Sequence, residues 1–136
     1  LDRIDIQVEL LPLPPRLLRD AASGETSDIV RQRVSAARSR QQERYAEIGG
    51  GTNATVPMAR LRQLMPMAAA VHDRLLRAIE TFGLSPRAHD RIWRVACSVA
   101  DLAQANEIDA GHLAEALQYR EFDRLSQQQA ATDLVG

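Results

Sequence analysis

Residues 85–106, SPRAHDRIWRVACSVADLAQAN, carry the strongest helical pattern in the chain, and any fold must be arranged around them. Ser85 stands where an N-cap belongs, and Pro86 takes the first helical position, where a missing N–H costs nothing. Ile92, Val95, Ala96, Val99, Leu102 and Ala103 recur at helical spacing, so one face is suited to a core. Arg87, Arg91 and Arg94 fall along a different face. Arg87 belongs to the first turn, beside unpaired backbone N–H groups and the positive end of the helix dipole. A cation there is unfavourable by about 0.3–1 kcal/mol. It makes sense if an anion such as a phosphate shares the site.

The 136 residues suit one domain, or a small domain with loose ends. A hydrophobic content of 45% fills a core, but 4% aromatics make that core aliphatic and alanine-rich. The net charge of −1 gives no argument for nucleic acid or for an acidic ligand. All 17 basic residues are arginine, a bias that genome composition explains more economically than phosphate recognition. Cys97 is the sole cysteine and lies within a helical apolar pattern, which excludes an intrachain disulfide and fits a buried thiol in a reducing cytoplasm. No apolar run approaches the roughly 20 residues needed to span a bilayer, so no membrane association is expected. No signal peptide opens the chain. It also lacks an initiator methionine, and the abrupt start is read as that of a piece of something longer.

Residues 1–10, LDRIDIQVEL, alternate Ile4, Ile6, Val8 and Leu10 with Asp5, Gln7 and Glu9, the pattern of a strand with one apolar side. No second strand is evident downstream, so its partners are expected in a part of the protein that precedes it. Pro12, Pro14 and Pro15 exclude helix and make residues 12–25 a linker. A helix is predicted from Thr26 or Ser27 to about Glu47, with a thin stripe of Ile29, Val30, Val34, Ala37 and Tyr45. Arg31, Arg33, Arg38, Arg40 and Arg44 crowd its remainder; this is read as a solvated helix, or alternatively as a surface facing nucleic acid or a partner. Ile48–Thr55, with its three glycines, reads as a flexible loop. A short helix over 57–64 follows, interrupted by Met65 and Pro66. Another over 68–82 faces Val71, Leu75, Ile79 and Phe82 inward and stops at Gly83. After the organising helix, Asp109 caps a last one over 110–120, with Leu113, Ala116 and Leu117 inward; residues 121–136 are expected to fray. The fold class is all-α: a bundle of about four helices over 26–120, preceded by an orphan N-terminal β-strand.

Little catalytic chemistry is legible. The loop GGGTNA lacks the lysine and the spacing of a phosphate-binding P-loop. His72, His89 and His112 are widely separated and none has a second ligand at i+4, which argues against a metal site. Asp90 and Arg94 are most simply an i,i+4 surface pair. No complete active site is present.

Two stretches resemble one known family. LDRIDIQVEL, residues 1–10, is similar to the segment that closes the ATPase core of magnesium-chelatase-like AAA+ proteins, the YifB/ComM group. SPRAHDRIWRVACSVADLAQANEIDAGHLAEALQYR, residues 85–120, closely resembles that group's C-terminal domain, and IVRQRVSAARSRQQERY, residues 29–45, agrees more loosely. The resemblance implies that residues 1–11 end an AAA+ core and that 26–120 form its helical lid. It implies ATP and Mg²⁺ as cofactors of the whole protein, with none bound to this stretch alone, and a homo-oligomeric, hexameric ring in which the lid meets its own core and neighbouring subunits. It makes Arg87 the sensor-2 arginine that reaches the phosphates, with Arg91 as an auxiliary. Arg3 becomes the candidate arginine finger, acting on a neighbour's nucleotide. A fixed guanidinium suits phosphoryl transfer, which spreads charge over equatorial oxygens. The implied whole protein is a cytoplasmic ATPase, and the isolated stretch is expected to be inactive. Two other readings follow from the same likeness: a DNA-handling module of the ComM type, and an accessory subunit of a metal chelatase.

Overall fold

The computed structural model describes residues 4–10, 12, 14–15 and 24–120. The expectations for Arg3, for most of the linker and for the tail 121–136 lie outside them.

Helix α4, Pro86–Leu102, is the centre of the bundle and buries Ala88, Ile92, Trp93, Val95, Ala96, Cys97, Ala100 and Asp101. It stops at Leu102 rather than at Asn106. Gln104 adopts a left-handed φ of 57°. The Gln104 N–H then donates to Asp101 O at 3.0 Å and the Ala105 N–H to Ala100 O at 2.9 Å, the paired bonds that terminate a helix when its C′ residue turns left-handed. Leu102, expected inward, is 41% exposed.

Four further helices surround α4 among the described residues. Helix α1, Ser27–Tyr45, starts at Thr26, whose hydroxyl accepts from the Ile29 N–H at 3.3 Å. Of its expected stripe only Ala37 and Tyr45 are buried, while Ile29, Val30 and Val34 are 41–50% exposed. A 3₁₀ turn, Ala46–Ile48, and Gly49 at φ 93° lead α1 into the glycine loop. Helix α2, Met58–Leu64, buries Leu61 and ends before Pro66, which disfavours helical geometry at the residue preceding it. Helix α3, Ala69–Phe82, buries Val71 and Leu75. It is stopped by Gly83 at φ 61°, with the Leu84 N–H donating to Ile79 O at 3.0 Å. Helix α5 spans 110–120. Asp109 caps it reciprocally: the His112 N–H donates to Asp109 Oδ1 at 2.9 Å, and the Asp109 N–H donates to His112 Nδ1 at 3.1 Å. A single parallel bridge, Met67 with Ile108, holds the α2–α3 and α4–α5 connections side by side.

The core runs through Tyr45, Leu61, Met65, Leu75, Ile92, Cys97, Ile108 and Leu113, all about fully buried. The fold is thus the expected helical bundle. Residues 4–10, within the expected orphan strand, have no β partner among the described residues; instead the Gln7 N–H donates to Tyr119 O at 3.3 Å. No described helix is long and apolar enough to cross a membrane. Cys97 is completely buried, and burial pushes its thiol up to about 12. It is therefore expected to resist alkylation by iodoacetamide at pH 8 under native conditions and to react stoichiometrically in 6 M guanidinium, as mass spectrometry would read out.

Candidate functional site

Arg87 sits in the first turn of α4 and is exposed. No hydrogen bond or ion pair engages its guanidinium among the described residues. Ser85 has the extended backbone of an N-cap, φ −70° and ψ 158°, but its side chain makes no capping hydrogen bond. Pro86 has no N–H and the Ala88 N–H donates to Ser85 O at 2.9 Å, so the first turn presents the Arg87 N–H beside that residue's free guanidinium, which is what an anionic ligand would meet.

Arg91, one turn further on, has an anion already. Its Nη1 lies 3.6 Å from Asp5 Oδ1, and Arg120 Nη2 approaches the same oxygen at 3.9 Å. Arg94 faces elsewhere: its Nη1 donates to the carbonyls of Asn53 at 2.6 Å and Val56 at 2.9 Å. The expected Asp90–Arg94 surface pair is therefore absent, and Asp90 instead accepts from Arg62 Nη2 at 2.8 Å. Helix geometry permits the i,i+4 pair, but the buried loop carbonyls hold Arg94 more firmly than an exposed carboxylate would.

Close to Arg87, helices α2, α3 and α4 bring together groups that are distant in sequence. His72 Nε2 and His89 Nε2 are 2.9 Å apart, and His89 Nδ1 is 2.9 Å from Asp90 Oδ1. Their ring centroids are 5.2 Å apart and the planes are inclined at 66°, so the two Nε2 atoms are within hydrogen-bond distance, with either ring able to donate. Trp93 packs against both rings, its centroid 5.3 and 5.6 Å from theirs, and its Nε1–H donates to Met65 O at 3.1 Å. The expectation that the histidines stay apart is thus corrected for His72 and His89, which the turn at Gly83 brings face to face. Among the described residues no three His, Cys, Asp or Glu side chains are placed to hold a metal ion.

His72 makes stability depend on pH. Burial, then the neighbouring His89 and Arg62, hold the pKa of His72 below its ordinary value of 6.5. The folded state thus binds fewer protons than the unfolded chain around that value, so the contribution is complete above 6.5 and is lost as the pH falls towards the lower folded pKa. The melting temperature, followed by Trp93 fluorescence, is expected to drop between pH 7.5 and 5.5, and to drop less in His72→Gln.

Near the C-terminal end of α4 lies a polar cluster that sequence reasoning missed. Asp101 is fully buried and accepts from both terminal nitrogens of Arg44 and, at 2.9 Å, from Asn53 Nδ2. Asn53 in turn accepts from Tyr45 Oη at 2.6 Å, and its backbone N–H donates to Gln41 Oε1 at 3.0 Å. Arg40 Nη2 donates to Ala105 O at 2.9 Å and to Asn106 Oδ1 at 2.7 Å. Burial opposes the charge on Arg44, but the Asp101 carboxylate more than offsets it and raises the guanidinium's pKa. The loop read as flexible is therefore pinned at Asn53. Two of the five α1 arginines read as solvated or ligand-facing, Arg40 and Arg44, are turned inward. The legible signal was Asp101 itself, a carboxylate directly beside the apolar stripe of α4.

Known proteins resemble this chain along nearly its whole length. YifB of Escherichia coli is 39% identical over 127 residues, which cover 92% of this chain and 24% of that protein. The competence protein ComM of Haemophilus influenzae is 38% identical over 132 residues, with 93% and 24% covered. The chain thus spans about a quarter of the length of these relatives, 24% in each case. Residues 24–120 match the family described as magnesium chelatase, subunit ChlI, C-terminal. Those residues include all five helices of the bundle, and the chain belongs to that family of C-terminal domains.

Proposed function

We propose that this domain is the helical lid of an AAA+ ATPase, and that Arg87 is the sensor-2 arginine that reports the nucleotide's phosphates to the lid. The observation that carries the reading is the unengaged guanidinium of Arg87 at the start of α4, in a domain of the magnesium chelatase C-terminal family. ATP with Mg²⁺ would be held by the protein's own core, in a ring of identical subunits. Bound nucleotide would draw Arg87 inward, and hydrolysis would release it, so that a local change of charge becomes a rotation of the bundle. Arg3 would act as the finger on the neighbouring subunit's nucleotide. Arg91 stands on the same side of α4, but its nearest anion is Asp5, which supports a phosphate contact by Arg87 rather than by both.

A hydrogen bond to a charged group is worth about 1.5–3 kcal/mol. In the full-length protein Arg87→Ala is therefore expected to slow ATP turnover about 10- to 100-fold, at roughly tenfold per 1.36 kcal/mol. Because Arg87 is exposed, the melting temperature should stay within a degree or two. Unchanged turnover would remove Arg87 from the mechanism.

A further inference from the structure

Residues 4–10 cross the α4–α5 face as a strap with little packing of its own. Ile4, Ile6, Val8 and Leu10 are 48–89% exposed. A groove of about 460 Å³ separates Ile6 and Val8 from Val95, Val99 and Tyr119. Apolar burial therefore does not hold the strap in place. Two polar anchors do: the Gln7 N–H on Tyr119 O at 3.3 Å, and the Asp5 carboxylate between Arg91 and Arg120 at 3.6 and 3.9 Å.

The two arginines need that carboxylate. The Arg120 side chain is only 9% exposed and that of Arg91 26%, and Arg91 Nη1 and Arg120 Nη2 are buried without a hydrogen-bond partner. Asp5 is the one anion within 4 Å of either guanidinium among the described residues. It neutralises two helices at once, α4 through Arg91 and α5 through Arg120. Arg91 is one turn from Arg87, so the strap is fastened beside the turn of α4 that presents Arg87.

We propose that Asp5 is a positioning residue: its carboxylate, clasped by Arg91 and Arg120, fastens the segment that precedes the domain onto α4 and α5 and sets the orientation of the Arg87-bearing helix. Its effect on turnover rests on the lid reading; the fastening itself does not. The strap also binds α4 to the stretch of chain that holds Arg3, two residues before Asp5 in the sequence. Movement of the sensor helix and movement of the finger segment would then be one motion.

The test uses the full-length protein and three variants, Asp5→Asn, Asp5→Glu and Arg87→Ala. Hydrogen exchange without nucleotide is expected to speed up at least tenfold at the Gln7 amide in Asp5→Asn, with the amides of Ile92–Ala100 unchanged. Asp5→Glu, which keeps the charge, should restore most of the protection. With ATP, Asp5→Asn should lower kcat several-fold while leaving KM within twofold, and Asp5→Glu should recover kcat. Unaltered Gln7 exchange in Asp5→Asn overturns the fastening. Faster exchange with normal kcat overturns the positioning role. Unchanged turnover in Arg87→Ala would sink the lid reading alone, since Gln7 protection is measured without nucleotide.

Discussion

Asp101→Ala is expected to cost about 3–5 kcal/mol, the range for removing one partner of a buried ion pair. The substitution deletes a fully buried carboxylate that satisfies both terminal nitrogens of Arg44 and the amide of Asn53. Arg44, whose side chain is 11% exposed, would be left as a cation without its counter-ion. Asn53 would lose one of its ties to α4 and be left with Ser98 Oγ at 3.2 Å and the Arg94 guanidinium, which also holds Val56 O. For a domain of this size the melting temperature should fall by on the order of 10 °C or more. Urea denaturation gives the number directly. A loss below about 1 kcal/mol would mean that the network is not what joins α1 to α4. Replacing Asp101 and Arg44 together, by leucine and methionine, should cost far less than the single change, because no charge is then stranded.

Trp93→Ala carries the second large effect, about 3–5 kcal/mol for a buried tryptophan truncated to alanine. Trp93 is 5% exposed and contacts both α2 and α3. It donates to Met65 O at the end of α2, packs on His72 of α3, and lies under the Arg62 guanidinium, 5.6 Å from its ring centroid. Trp93→Phe keeps most of the ring and loses the donor, leaving a buried carbonyl unpaired, and should cost about 1–3 kcal/mol. The two variants thus separate packing from the hydrogen bond. Equal losses in both would assign the whole effect to the Met65 contact. Trp93→Ala should also flatten the pH dependence set by His72, since the surface that packs against its ring is gone.

What could be read from the sequence was what is local. The inward positions Ile92, Val95 and Ala96 of α4, the stop at Gly83, the cap at Asp109 and the break before Pro66 each depend on residues within a turn or two and lie where the pattern placed them, whereas Leu102 and Ala103 at the end of the expected stripe are exposed. The exposed, unengaged Arg87 is likewise legible, because a helix start is a local feature. What was missed depends on partners far along the chain. Arg44 meets Asp101 across 57 positions, and His72 meets His89 across 17. No period or motif encodes such pairs. Arginines on a weakly amphipathic helix look solvated until something charged is buried opposite them, and a glycine-rich loop looks loose until its one asparagine is buried. The early end of α4 was hidden for a related reason: nothing in the apolar repeat announces that a glutamine, rather than a glycine, will turn left-handed.

The Arg44–Asp101 clasp also fixes an order of events during synthesis. Helix α1 leaves the ribosome before the other helices of the bundle but buries only Ala37 and Tyr45, too little to stand alone in water. Its anchor on α4 lies 57 residues behind, which at ordinary elongation rates is a wait of about 3–11 s. Helix α1 is therefore expected to stay unsecured until α4 emerges, and a nascent chain stalled before Asp101 clears the exit tunnel should leave α1 open to protease.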